Sequence, residues 1–110
     1  MIEKQEFLAL AAKGWEKYQY DGRYLYRSDS KSSQSGSQST IPNAVSACIL
    51  GAAVAAANDF AVGIDAFDYI HTIFKIDSNY TYKIACASNG AGSKEAALKA
   101  VEAIEWPVAS

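Results

Sequence analysis

Three groups of residues in this 110-residue sequence have types and spacings that bear on chemistry. His71, the single histidine, follows Asp65 and Asp68 at steps of three. Asp-x-x-His on a helix resembles one half of a carboxylate-bridged metal site, but such a site takes a second acid and histidine from another helix. The chain has no second histidine. On a helix, His71 shares a face with Ile64, Phe67, Ile70 and Phe74, so it is expected to be a buried or half-buried ring bonded to a neighbour.

Cys48 and Cys86 stand in no C-x-x-C pattern, and two cysteines with one histidine fall short of the four ligands of a structural zinc site. As a nucleophile either thiol needs His71 as base, while an apolar setting raises a thiol's pKa and opposes reaction. Both are expected to be buried and unreactive. The third group, Asn89-Gly90-Ala91-Gly92-Ser93-Lys94, has the look of a glycine loop opening a helix. It lacks the G-x-x-x-x-G-K-[ST] of a P-loop, and Glu95 stands at the third glycine position of G-x-G-x-x-G. A turn into a helix capped by Ser93 accounts for it, and neither a cofactor nor a metal is implied.

The elements that must position these residues follow from periodicity. Glu3 to Lys13 reads as a helix with Phe7, Leu8, Leu10 and Ala11 in one stripe, and Gly14 suits the left-handed residue that ends it. From Trp15 to Arg27, aromatic residues flank Asp21-Gly22, which suits a type I′ turn. A β-hairpin is the expected form, with Tyr18, Tyr20 and Leu25 on one face and Trp15, Tyr24 and Tyr26 on the other; the competing reading continues the first helix through Trp15 and Tyr18.

Ser28 to Thr40 holds seven serines and no apolar side chain, so it is read as a flexible surface loop. A second helix is expected from about Pro42 to Asn58, apolar on every side and therefore the central spine. A third runs from about Ile64 to Lys75. Residues 80–88, YTYKIACAS, form either a strand or an irregular return. Lys94 to Trp106, with Ala97, Leu98, Val101 and Ile104 inward, forms the last helix, ended by Pro107. The fold class is mainly α: a small four-helix domain with an N-terminal β-hairpin, or alternatively an α+β arrangement with a small antiparallel sheet. One domain is expected to span residues 1–110.

Ten basic and twelve acidic residues give a formal charge of -2, with neither sign gathered into a block. A nucleic-acid partner is not expected, because its phosphates call for concentrated cations. The opening MIEKQEFLAL has acids and no long apolar core, unlike a secretory signal. The stretch Ala44 to Ala57 is shorter than the roughly 20 residues that cross a bilayer. A cytoplasmic protein without a membrane anchor is the expectation.

The succession Gly14-Trp15 with its aromatic Asp-Gly segment, then NAVSACILGAAVAAA, then IACASNGAGSKEAALKAVEAIEW, resembles a family of small uncharacterised bacterial and phage proteins. In that family a Cys or aromatic residue precedes a Leu-Gly-Ala step, matched here by Cys48 and Leu50-Gly51-Ala52. Its final Ser/Thr-capped helix is matched by Ser93-Lys94-Glu95 after Ser88-Asn89. The family has no established activity, so the resemblance implies a lineage and no mechanism.

The function expected from these residues is non-enzymatic: a small protein-binding module, of the kind a phage encodes as an accessory or inhibitor protein. Its contact surface is read as the aromatic cluster Trp15, Tyr18, Tyr20, Tyr24 and Tyr26, since tyrosine and tryptophan anchor protein interfaces. The alternative is a small hydrolase or transferase using the Gly90-Gly92 loop with His71.

Overall fold

A computed structural model describes residues 1–22, 24–28, 40–41 and 44–106. The serine-rich loop expected at 28–40 lies, its two ends apart, outside the described residues, as do Pro42 and Pro107. The described chain is mainly α with a small sheet. In order it contains α1 (Lys4–Lys17), β1 (Gln19–Tyr20), β2 (Tyr26–Ser28), β3 (Ala44–Ala47), α2 (Ile49–Ala57), α3 (Ala66–Thr72), α4 (Ser78–Asn89) and α5 (Lys94–Glu102).

The expected end of the first helix at Gly14 is overturned: α1 runs through Gly14 and Trp15 to Lys17. Phe7, Leu8, Ala11 and Trp15 share a buried stripe, so the apolar period carries on past the glycine. Gly14 serves the packing instead. A Cβ there would lie 2.6 Å from the Ala52 carbonyl carbon, so only glycine lets the α2 backbone come this close. Gly51 does the same one residue earlier on α2, where a Cβ would lie 2.8 Å from the Leu25 carbonyl carbon.

The hairpin is also overturned. β1 and β2 do not pair with each other; β3 lies between them, parallel to β1 and antiparallel to β2, in the order β1-β3-β2. Gln19 and Tyr20 register with Ser46 and Ala47, and Tyr26 and Arg27 register with Ala47 and Ser46. Asp21-Gly22 therefore turns the chain without closing a hairpin. The central strand comes from Ala44–Ala47, which the sequence places in a helix beginning at Pro42. It ends where Cys48, in extended conformation, leads into α2.

Helix α2 is the expected spine, with every residue from Ile49 to Ala56 buried. The third helix is shorter than expected, Ala66–Thr72, and Asp65 caps it by accepting from the Asp68 N–H at 3.1 Å. The undecided segment 80–88 is neither strand nor irregular; it belongs to α4. Asp77 nucleates that helix by accepting from the Tyr80 N–H at 2.8 Å, and Ile84 and Ser88 on one face point inward. Ser93 caps α5 as the sequence predicts, accepting from the Ala96 N–H at 3.2 Å. The ends of the described chain meet: the Trp106 indole donates to the Ile2 carbonyl at 2.9 Å and packs against Phe7 with centroids 5.7 Å apart.

Candidate functional site

Most of the aromatic cluster expected to form a binding surface is core. Trp15, Tyr18 and Tyr26 are buried. The Trp15 indole donates to the Ala47 carbonyl at 2.9 Å, which fastens α1 to the central strand. Tyr18 meets Tyr26 and Phe60 edge to face, with centroids 6.4 and 5.4 Å apart. Tyr20 is half-buried, edge-on to Trp15, and its hydroxyl donates to the Ser88 carbonyl. Burial pushes the Tyr26 phenol far up from its ordinary value, with Tyr18, Cys48 and Asp65 adding to the shift. These rings staple the sheet to α1 because a two- or three-residue strand contributes too few ladder bonds to hold itself.

Tyr24, half-buried like Tyr20, is the member that lines the cleft beside α3 and α4. That cleft holds about 320 Å³, with Leu25, Cys48 and Leu50 also contributing. From α3 come Phe67 and His71, whose rings lie nearly parallel, 12° apart, at a centroid separation of 6.4 Å. From α4 come Ser78, Thr81, Tyr82, Ala85 and Asn89, a stripe at helical spacing. Phe67 is 43% exposed and Tyr82 71% exposed, although both are large and apolar in body. The sequence face that put Phe67 and His71 inside beside Ile70 and Phe74 is thus corrected. Ile70 and Phe74 are buried, but the short α3 turns Phe67 and His71 outward.

The two thiols differ, which corrects the expectation that both are buried. Cys48 is buried, and desolvation pushes its thiol up despite backbone hydrogen bonds from Gly51 and Leu50 that act the other way. Cys86 is exposed on α4. Its hydrogen bond with Tyr82 on the preceding turn pushes that phenol up. Cys48 and His71 both contribute to one cleft, but the Cys48 thiol is enclosed, and a thiol kept neutral by burial is a poor nucleophile.

A second, polar cleft is lined by Tyr20, Asp21, Gly22, Tyr24, Arg27, Asn89 and Gly92. Arg27 lies 3.7 Å from the Asp21 carboxylate, which also accepts from the Ser46 hydroxyl at 3.4 Å. Gly92 and His71, the residues of the enzymatic alternative, therefore line different clefts that share Tyr24 and Asn89. Asp21 in the second lining opposes an anion there, and the Ser93 side chain already serves the first turn of α5. Among the described residues no group of three or more His, Cys, Asp or Glu side chains gathers as a metal site, and no helix is long and apolar enough to cross a membrane.

No protein-family model matches this chain, and neither a curated protein nor a solved structure is detectably similar to it.

The sequence reading missed Phe67 and Tyr82 as surface residues. A signal for Tyr82 was present: once Asp77 is taken as an N-cap, residues 78, 81, 82, 85 and 89 fall on one helical face distinct from the Ile84 and Ser88 face.

Proposed function

We propose that this chain is a small non-enzymatic binding module, of the accessory or inhibitor kind found among small bacterial and phage proteins. It engages a protein partner through the cleft between α3 and α4, not through the buried aromatic cluster. The observation that supports this reading is the pair of exposed aromatic walls, Phe67 and Tyr82, on either side of an apolar cleft reaching Leu25 and Leu50. Large exposed apolar groups around a concavity are the features of a surface that another molecule covers. The raised Cys48 thiol favours binding over catalysis.

The test is partner capture from the native host by the full chain and by its Phe67→Ser and Tyr82→Ser variants, with bound proteins identified by mass spectrometry. Tyr82 is 71% exposed, so Tyr82→Ser is expected to change stability by about 0.5 kcal/mol or less, whereas Phe67, 43% exposed, gives up part of its packing in Phe67→Ser at a cost of about 1 kcal/mol. Recovery of the same partner is expected to fall at least tenfold. Undiminished capture by both variants would place the contact surface elsewhere.

A further inference from the structure

We propose that Asn89 is a self-modification site, where the side-chain amide is lost and a carboxylate, as aspartate or isoaspartate, takes its place without an enzyme. The reaction needs the backbone nitrogen of the next residue to reach the asparagine side-chain carbonyl carbon. It therefore depends on what that residue carries and on what holds the peptide between the two. Gly90 carries no Cβ to stand beside the attacking nitrogen.

The fold leaves this peptide loosely held. Asn89 is the last residue of α4, and both it and Gly90 are exposed. The Gly90 N–H donates to the Ser88 carbonyl two residues back, not to the Cys86 carbonyl that would continue the helical ladder. So tight a ring bends the hydrogen bond far from its preferred line, and it is easily given up. The other described asparagines are better tied. Asn58 donates its side-chain amide to the Val54 carbonyl at 2.9 Å, and the Asp59 N–H behind it donates to the Ala56 carbonyl at 3.2 Å. The nitrogen that would attack Asn79 belongs to Tyr80, which donates to the Asp77 carboxylate at 2.8 Å in the first turn of α4. Those bonds must break before either asparagine can react.

The step balances with water as the one co-reactant. A base takes the Gly90 N–H proton, the nitrogen attacks the Asn89 side-chain carbonyl carbon, and the bond from that carbon to the amide nitrogen breaks. Ammonia leaves, and a five-membered succinimide remains. Water opens this ring at the side-chain carbonyl to give aspartate, or at the main-chain carbonyl to give isoaspartate, in which the chain runs through the former side chain and is one methylene longer. Nothing is oxidised or reduced.

The product falls where both clefts meet, because Asn89 belongs to both linings. The cleft beside α3 and α4 has no Asp, Glu, Lys or Arg in its lining, so conversion gives it a negative charge that it lacks. The charge also sits at the C-terminal end of α4, where the helix dipole opposes it. The longer isoaspartate chain disturbs a packed joint: a Cβ on Gly22 would lie 2.9 Å from the Asn89 carbonyl oxygen, and the Ser88 carbonyl accepts from the Tyr20 hydroxyl. None of this depends on what occupies either cleft.

The experiment holds the full chain folded at mildly alkaline pH and weighs peptides from timed samples, digested under acid, by mass spectrometry. The peptide with Asn89 is expected to gain about one dalton, sooner as the pH rises, while those with Asn58 and Asn79 keep their mass. A fraction of the converted chain is expected to accept a methyl group from an isoaspartate-specific methyltransferase. In denaturant the Asn89 rate is expected to stay within about tenfold of the folded rate, because the fold does not guard this peptide. Gly90→Ala introduces a Cβ that meets nothing nearer than the Cys86 carbonyl oxygen at 3.9 Å, so the variant is expected to fold. It is expected to slow conversion by about tenfold or more, by crowding the nitrogen and stiffening the backbone. Protection of Asn89 by more than about tenfold on folding would overturn the proposal. So would an unchanged rate in Gly90→Ala, or conversion that comes first at Asn58 or Asn79.

Discussion

Gly14 of α1 and Ala52 of α2 touch backbone to backbone, and a Cβ on Gly14 would overlap the Ala52 carbonyl. This crossing brings the two most extensively packed helices together and sets where Trp15 reaches the sheet. Gly14→Ala puts a methyl group where neither backbone can yield, so a loss of about 3 kcal/mol or more is expected, in spite of alanine's better helix propensity. Urea denaturation of the variant against the parent measures it. Unchanged or increased stability would show that the helices cross farther apart.

Tyr26 is fully buried, and its hydroxyl has no hydrogen-bond partner among the described residues. Removing only that oxygen, as in Tyr26→Phe, is expected to stabilise the fold by roughly 1 kcal/mol, because an unpaired buried hydroxyl has given up water for nothing. Tyr26→Ala is expected to cost about 3 to 5 kcal/mol by opening a cavity. Thermal unfolding of both variants is the measurement, and an equal, small effect from each would contradict the burial.

Lys75 is exposed and holds a left-handed backbone, φ 60°, between α3 and the buried Ile76. A side chain in that region costs about 1 to 2 kcal/mol, and glycine avoids it at a smaller loss of about 0.4 to 1 kcal/mol from the freer unfolded chain. Lys75→Gly is therefore expected to raise stability by up to about 1 kcal/mol in denaturant titration. Phe60, at φ 61°, behaves oppositely: its ring carries the Tyr18 contact and lies 4.5 Å from the Lys17 ammonium, so Phe60→Gly is expected to destabilise.

Folded Cys48 holds its proton above the ordinary thiol value of 9.0, so the folded state binds more protons than the unfolded state once the pH passes that value. Stability from this source is complete below pH 9 and falls as the pH rises further, by at most about 1.4 kcal/mol per pH unit. Tyr18 and Tyr26, raised above 10.0, add to the decline at higher pH. Cys48→Ala is expected to flatten the fall between pH 9 and 10, read from chemical denaturation across that range. At neutral pH, Cys86 is expected to react with a thiol reagent rapidly in the native state and Cys48 only on unfolding. Rapid native labelling of both would mean that Cys48 is not enclosed.

What the sequence disclosed and what it hid divide along the range of the interactions involved. Ser93 capping α5 and the buried run Ile49 to Ala56 of α2 act within a few residues, and both are legible in the sequence, although the helix expected from Pro42 begins only at Ile49. Gly14 was misread because glycine has two uses, ending a helix or admitting a neighbour, and only the distant Ala52 decides between them. The hairpin was misread for a similar reason: Asp21-Gly22 satisfies a local turn rule, but Ala44–Ala47 displaces β2 from β1, and that pairing leaves no local mark. Residues 80–88 carry β-prone tyrosine, threonine and isoleucine, yet the Asp77 cap and an inward Ile84 and Ser88 face outweigh that preference. Of the candidate site, Tyr24 was named from sequence as a contact residue and His71 as part of the enzymatic alternative, whereas the exposure of Phe67 and Tyr82 appears only once α3 is short and α4 is helical.

The hydrogen bond from the Trp106 indole to the Ile2 carbonyl brings the two ends of the described chain side by side. Topologically the fold is a nearly closed ring with one small gap, so it could be spliced into a surface turn of a host protein without prising the host's flanking residues apart. Joining residues 2 and 106 by a short bridge and opening the ring at an exposed turn such as Ala61-Val62 would reorder the sequence while leaving α1, α2 and the cleft between α3 and α4 where they are.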